Sequence, residues 1–112
     1  MKRIALLALT LAGAPAFAAE PAAAPQAAST CFACHGENGA KPIAPNYPVL
    51  AGQYANYLEH ALTEYHDGKR KNAIMNAQAA PLKPEEIHEL AQFFGAQQSQ
   101  LHTPSVHGEE HK

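Results

Sequence analysis

Cys31-Phe32-Ala33-Cys34-His35 is the stretch on which the reading of the whole chain turns. Two cysteines three positions apart lie on a single helical turn. From there their thiols can reach the two vinyl groups on neighbouring edges of one porphyrin. The histidine that follows then lies beneath the iron, where its imidazole can serve as the proximal ligand. The pattern therefore points to one haem c, attached through thioethers at Cys31 and Cys34 and ligated by His35. Covalent links hold such a group in a protein small enough to lose it otherwise.

Other uses of a cysteine pair fit less well. A thioredoxin-like dithiol belongs beside a βαβ pattern, and no run with the period-two alternation of a strand occurs here. A zinc site needs further ligands, yet the chain has only these two cysteines, and no histidine pair follows them at the short distance a zinc finger uses. A disulfide between Cys31 and Cys34 would close a very short and geometrically awkward loop.

Upstream, Lys2 and Arg3 begin a basic start, Ile4 to Ala12 form an apolar run, and Ala16-Phe17-Ala18 offers small residues at the positions a signal peptidase reads. The run falls short of the roughly 20 residues that span a bilayer as a helix. Residues 1–18 are therefore expected to be a cleaved signal peptide, and the protein to be periplasmic with no membrane span after cleavage. Residues 19–28, rich in Ala and Pro, read as a flexible lead-in, 29–98 as one small domain, and 99–112 as a polar mobile tail. The chain beyond residue 18 has six Lys and Arg against ten Asp and Glu, a formal charge of −4. That balance argues against nucleic acid, whose phosphates call for a basic surface.

Downstream, a first short helix is expected near 26–33. Three Pro, two Gly and two Asn between Gly36 and Leu50 read as an extended loop. Tyr54, Tyr57, Leu58, Ala61, Leu62 and Tyr65 then recur at helical spacing, with a stop at Asp67-Gly68. A second loop is expected from Lys69 to Lys83. Pro84 suits the first position of a last helix, and Glu85 and Glu86 favour its positive end. Ile87, Leu90, Ala91 and Phe94 supply that helix with its apolar stripe. The fold class is all-α: a few helices and long loops wrapped around one covalently bound haem.

The sixth position on the iron decides the chemistry. Met75 is the one methionine beyond the signal segment, about 40 residues after His35, and a thioether from such a segment can ligate the far side of the haem. The alternatives are that Met75 fills a gap in the core, or that His60 or His66 takes the position.

The run Cys31-Phe-Ala-Cys-His-Gly-Glu-Asn-Gly, then Pro48-Val-Leu-Ala-Gly-Gln-Tyr, Tyr57-Leu58, Gly68-Lys-Arg and Met75 resembles the class I cytochromes c, nearest to the bacterial c553 and c4-type group. The resemblance spans roughly residues 29–96. It implies that the Pro48 carbonyl accepts from Nδ1–H of His35, fixing the ring and raising its basicity. It further implies that Leu50, Tyr57, Leu58 and Leu62 wall the haem, and that a last helix bearing Leu90, Phe93 and Phe94 crosses the first. The lead-in before Cys31 departs from the family pattern in being short and proline-bearing, which leaves room for only a stunted first helix.

An iron ligated by His35 and Met75 has no place for substrate, so the expected function is a one-electron carrier between a redox protein donor and acceptor, monomeric and not itself an enzyme. Rival functions are a haem subunit of a larger oxidoreductase, or a small haem enzyme or gas-binding protein with an open sixth site. Lys69, Arg70 and Lys71 form the one basic cluster beyond the signal segment and suit docking to an acidic partner, pairing with a haem propionate, or simple solvation. His102, His107 and His111 in the tail read as solvated side chains, with adventitious metal binding as the alternative.

Overall fold

Pro84 opens a helix, Asp67-Gly68 closes one, and the apolar stripes between such signals become buried faces. In the computed structural model, which describes residues 12–16, 23–99 and 101, the α-helices are α1 (Ala28–His35), α2 (Ala55–His66), α3 (Ala73–Ala79) and α4 (Pro84–Gly95), with a 3-10 turn at Glu37–Gly39. No strand occurs among the described residues, as the all-α expectation requires. None of these helices is long and apolar enough to cross a membrane. Most of the expected signal peptide, part of the lead-in and nearly all of the tail lie outside the described residues.

In α4, Pro84 sits in the first turn with Glu85 and Glu86, and the Glu86 carboxylate accepts the Lys83 N–H at 2.8 Å. Its buried residues are Ile87, Leu90, Ala91, Phe93 and Phe94, one stripe of a 3.6-residue period. α2 buries Leu58 and Ala61. It ends where Gly68 takes φ 73°, and the N–H groups of Lys69 and Arg70 both fold back to the Glu64 carbonyl.

α1 starts two residues later than expected and runs on to His35. The Pro25 carbonyl accepts the Ala28 N–H at 2.9 Å, which sets the first turn. The helix stops at Gly36, whose φ of 81° reverses the chain; a Cβ there would run into the Lys41 carbonyl. The loop that follows folds back on the helix end, with Ile43 N–H on the Cys34 carbonyl and Leu50 and Ala51 N–H on that of Gly39.

The expected loop at 69–83 holds α3 instead. Asn72 is its N-cap, and the side-chain oxygen accepts from Ile74 N–H at 3.1 Å and Met75 N–H at 3.0 Å. Seven residues are too few for an apolar period to show, and only Ala79 of this helix is buried.

The core is a cluster of Ala28, Leu58, Leu90, Ala91, Phe93 and Phe94, with Phe32, Cys31, Leu50 and Leu62 packed against it. Phe32 meets Phe93 at 6.2 Å and Phe94 edge-on at 6.0 Å between centroids. The eight-residue first helix is therefore long enough to engage the last. Gly39 lies where the loop crosses α4, and a Cβ on it would stand 2.8 Å from the Phe94 ring.

Candidate functional site

His35 ends α1 with its side chain buried, and its Nδ1 lies 2.8 Å from the Pro48 carbonyl oxygen. A carbonyl only accepts, so Nδ1 carries the hydrogen and Nε2 keeps its lone pair for a metal. The Tyr47 ring stands edge-on to the imidazole at 6.2 Å. Orientation of the histidine is thus set by two neighbouring loop residues, Tyr47 and Pro48.

Beside it opens a cavity of about 360 Å³, within the roughly 300–1,000 Å³ of small-molecule sites. Cys31, Cys34 and His35 line it from α1, and Pro48 and Leu50 from the loop. Tyr57, Leu58 and Leu62 line it from α2, and Met75 from α3. All nine residues singled out in the sequence for the haem thus border one space. Both cysteines are half-buried, and no disulfide joins them. Burial pushes the Cys31 thiol above its ordinary range, against a smaller lowering by a hydrogen bond with Thr30.

His60 and His66 do not border the cavity. His60 is exposed and pairs with Glu64 at 3.2 Å, while His66 Nδ1 donates to the Ala79 carbonyl at 2.9 Å. Of the basic triplet, Arg70 alone borders the cavity, and Lys69 and Lys71 stand exposed beyond it. The Arg70 guanidinium donates to the Tyr57 hydroxyl at 3.4 Å and lies 5.0 Å from the centre of the Tyr65 ring. The bond with Tyr57 raises its already high pKa further. The side chain is a permanent cation at the mouth of an apolar space.

Tyr47, Tyr65 and Phe94 also belong to this site and were not singled out for it in the sequence. Tyr47 carries one local signal, an aromatic ring directly before the proline whose carbonyl meets His35. Phe94 was legible as core but not as a wall of the cavity.

These residues fit a haem. Leu50, Leu58, Leu62 and Phe94 suit the flat faces of a porphyrin, the thiols its vinyl edge, the imidazole its iron, and Arg70 its carboxylates. Bound there, the haem supplies a one-electron ferric–ferrous couple. The chain's own work is to hold His35 in one tautomer, to bring the Met75 side chain to the same cavity, and to line that cavity with apolar walls.

Comparisons with known proteins agree. The Cytochrome c family model matches residues 19–96. The chain is 40% identical over 84 residues to cytochrome c-554(548) of Halomonas halodenitrificans, covering 72% of this chain and 100% of that one. It is 41% identical to the thiosulfate dehydrogenase electron acceptor of Thiomonas intermedia, over 84% of this chain and 43% of that one. Its fold resembles cytochrome c4 of Acidithiobacillus ferrooxidans with a TM-score of 0.55 and 32% identity, over 59% of this chain and 37% of the other. The chain thus spans the whole of the first relative and less than half of the other two. The chain belongs to the cytochrome c family, and its cofactor is one covalently bound haem c.

Proposed function

We propose that this cytochrome is an exported, periplasmic one-electron carrier whose haem is attached at Cys31 and Cys34 and ligated by His35 and Met75. The observation that carries this reading is that Met75, on its capped helix, borders the same cavity as the buried His35. With both axial positions filled, no site remains for substrate. Methionine also raises the reduction potential relative to a second histidine, which suits a carrier accepting electrons from a dehydrogenase. The likeness to a thiosulfate dehydrogenase electron acceptor supports an enzyme of that class as donor.

The basic start, apolar run and Ala16-Phe17-Ala18 support cleavage after residue 18. Residues 19–28 then form the lead-in, 29–98 the haem domain and 99–112 a polar tail, and the carrier works as a monomer. A 33% identity to the cytochrome subunit of sulfide dehydrogenase of Chlorobaculum tepidum supports a second reading, a haem subunit that stays with its oxidoreductase; it would co-purify with that enzyme, and a free carrier would not.

The visible spectrum of the periplasmically expressed protein tests the ligation. Expected are the weak long-wavelength charge-transfer band of methionine-ligated ferric haem and no rapid shift when carbon monoxide meets the reduced form. A high-spin spectrum that shifts at once would move the function to an enzyme or a gas-binding protein.

A further inference from the structure

Asn76 follows Met75 directly and does not border the cavity. Its side chain is half-buried, and each polar atom meets a different part of the chain. Nδ2 donates to the Tyr65 carbonyl at 2.8 Å and to the Arg70 carbonyl at 2.8 Å, while Oδ1 accepts the Asn72 N–H at 2.9 Å. These partners fix which way the amide points, because two carbonyls can face only the NH₂ group and an N–H only the oxygen. Tyr65 lies in the last turn of α2, Arg70 in the connection, and Asn72 caps α3. One side chain therefore gathers three segments, and the residue it binds through Oδ1 is the one whose own side chain holds the Met75 N–H.

Little else anchors α3. A seven-residue helix is below the length at which helices persist alone, and this one buries only Ala79. At its far end the His66 ring donates to the Ala79 carbonyl. The other helices, by contrast, share the aromatic core through Phe32, Leu58, Phe93 and Phe94. Polar ties, centred on Asn76, decide whether α3 stays over the cavity, and the core decides whether the rest of the molecule does.

We propose that Asn76 is a positioning residue that keeps Met75 on the haem iron by fastening α3 to the end of α2. This rests on the His35/Met75 ligation proposed above. Without the Nδ2 bonds, α3 departs from the cavity in a larger fraction of molecules while α1, α2 and α4 remain packed. An added ligand competes with Met75, so its apparent affinity rises with the fraction of molecules in which Met75 is off.

The test is a titration of imidazole into the ferric holoprotein for wild type, Asn76→Asp, Asn76→Ala, Met75→Ala, and the double variant Met75→Ala/Asn76→Ala. Asn76→Asp keeps the shape but turns a carboxylate on two carbonyls, and Asn76→Ala keeps the helix and removes every bond. Both bind imidazole at least about tenfold more tightly than wild type, the factor given by about 1.4 kcal/mol of lost hydrogen bonding. The double variant matches Met75→Ala alone, since no thioether is left to hold. Wild-type affinity in both Asn76 variants overturns the positioning role. So does an equal tightening in the Met75→Ala background, which marks a general loosening of the fold. Wild type binding as tightly as Met75→Ala overturns the ligation itself, a separate failure. If neither Asn76 variant yields holoprotein, amide exchange in wild type decides: the Asn76 side-chain protons exchange more slowly than those of exposed Gln92, and equal rates overturn the role.

Discussion

His35 and Met75, the two proposed iron ligands, are held in place with different degrees of support. His35 is buried, its tautomer is set by the Pro48 carbonyl, and the Tyr47 ring backs it. Met75 is half-buried on a helix held by side-chain amides. Met75→Ala is therefore expected to keep the covalent haem and the fold but to open the iron. Carbon monoxide then binds the reduced protein at once, the long-wavelength band disappears, and peroxidase-like activity rises; an unchanged spectrum assigns the sixth ligand to another residue. Leu90, with no exposed surface, lies at the centre of the core. Leu90→Ala costs about 2–5 kcal/mol in a denaturant melt of the holoprotein. The residues of the C-x-x-C-H motif were legible because their chemistry is local, five consecutive positions on one turn. Tyr47 and Phe94 were not, because an edge-on ring or a shared wall joins positions that no period in the sequence connects.

At the level of elements, α2 and α4 were readable from their stripes and their stop and start residues, to within a residue or two. α3 was not. Its cap, Asn72, is a strong local signal, but one and a half turns with a single buried alanine carry no periodicity, so the stretch read as a loop. α1 was displaced by two residues because the turn is set by the Pro25 carbonyl, a contact rather than a composition. The chain reversals around α1 are unforgiving. Gly36→Ala brings a methyl group into the Lys41 backbone at a φ of 81°, and Gly39→Ala meets Phe94 and Leu50 at a φ of 73°. Both are expected to lower holoprotein stability by about 2 kcal/mol or more. Gly36→Ala has the larger effect, since backbone cannot give way as a ring can. Thermal melts of the two variants measure the order.

Across the whole molecule, the haem fills what would otherwise be a gap in the core. Leu50, Leu58, Leu62 and Phe94 present apolar surface to a space of about 360 Å³, so the haem supplies packing partners that the chain does not provide for itself. The Cys31→Ala/Cys34→Ala chain, unable to attach haem covalently, is accordingly expected to lose most of its helical circular dichroism when no haem is added. At the surface, Lys69, Arg70 and Lys71 stand out from a chain whose net charge is −2. Electron transfer to an acidic partner is expected to slow as salt is added, and the Lys69→Glu/Lys71→Glu variant to be slower at low salt and nearly indifferent to salt. A salt response unchanged by that reversal places the docking face elsewhere.

The contact of Phe32 with Phe93 and Phe94 has a consequence in time as well as space. Everything that seats the haem on its proximal side, from Cys31 to Pro48, leaves the ribosome before α2 exists. The rings that cover Phe32 arrive some sixty residues later, at the end of the domain. Attachment to the still-unfolded chain is expected to meet an uncovered segment, with the last helix closing like a door behind a cofactor already in place. A chain cut before Pro84 should still acquire its thioethers and never close.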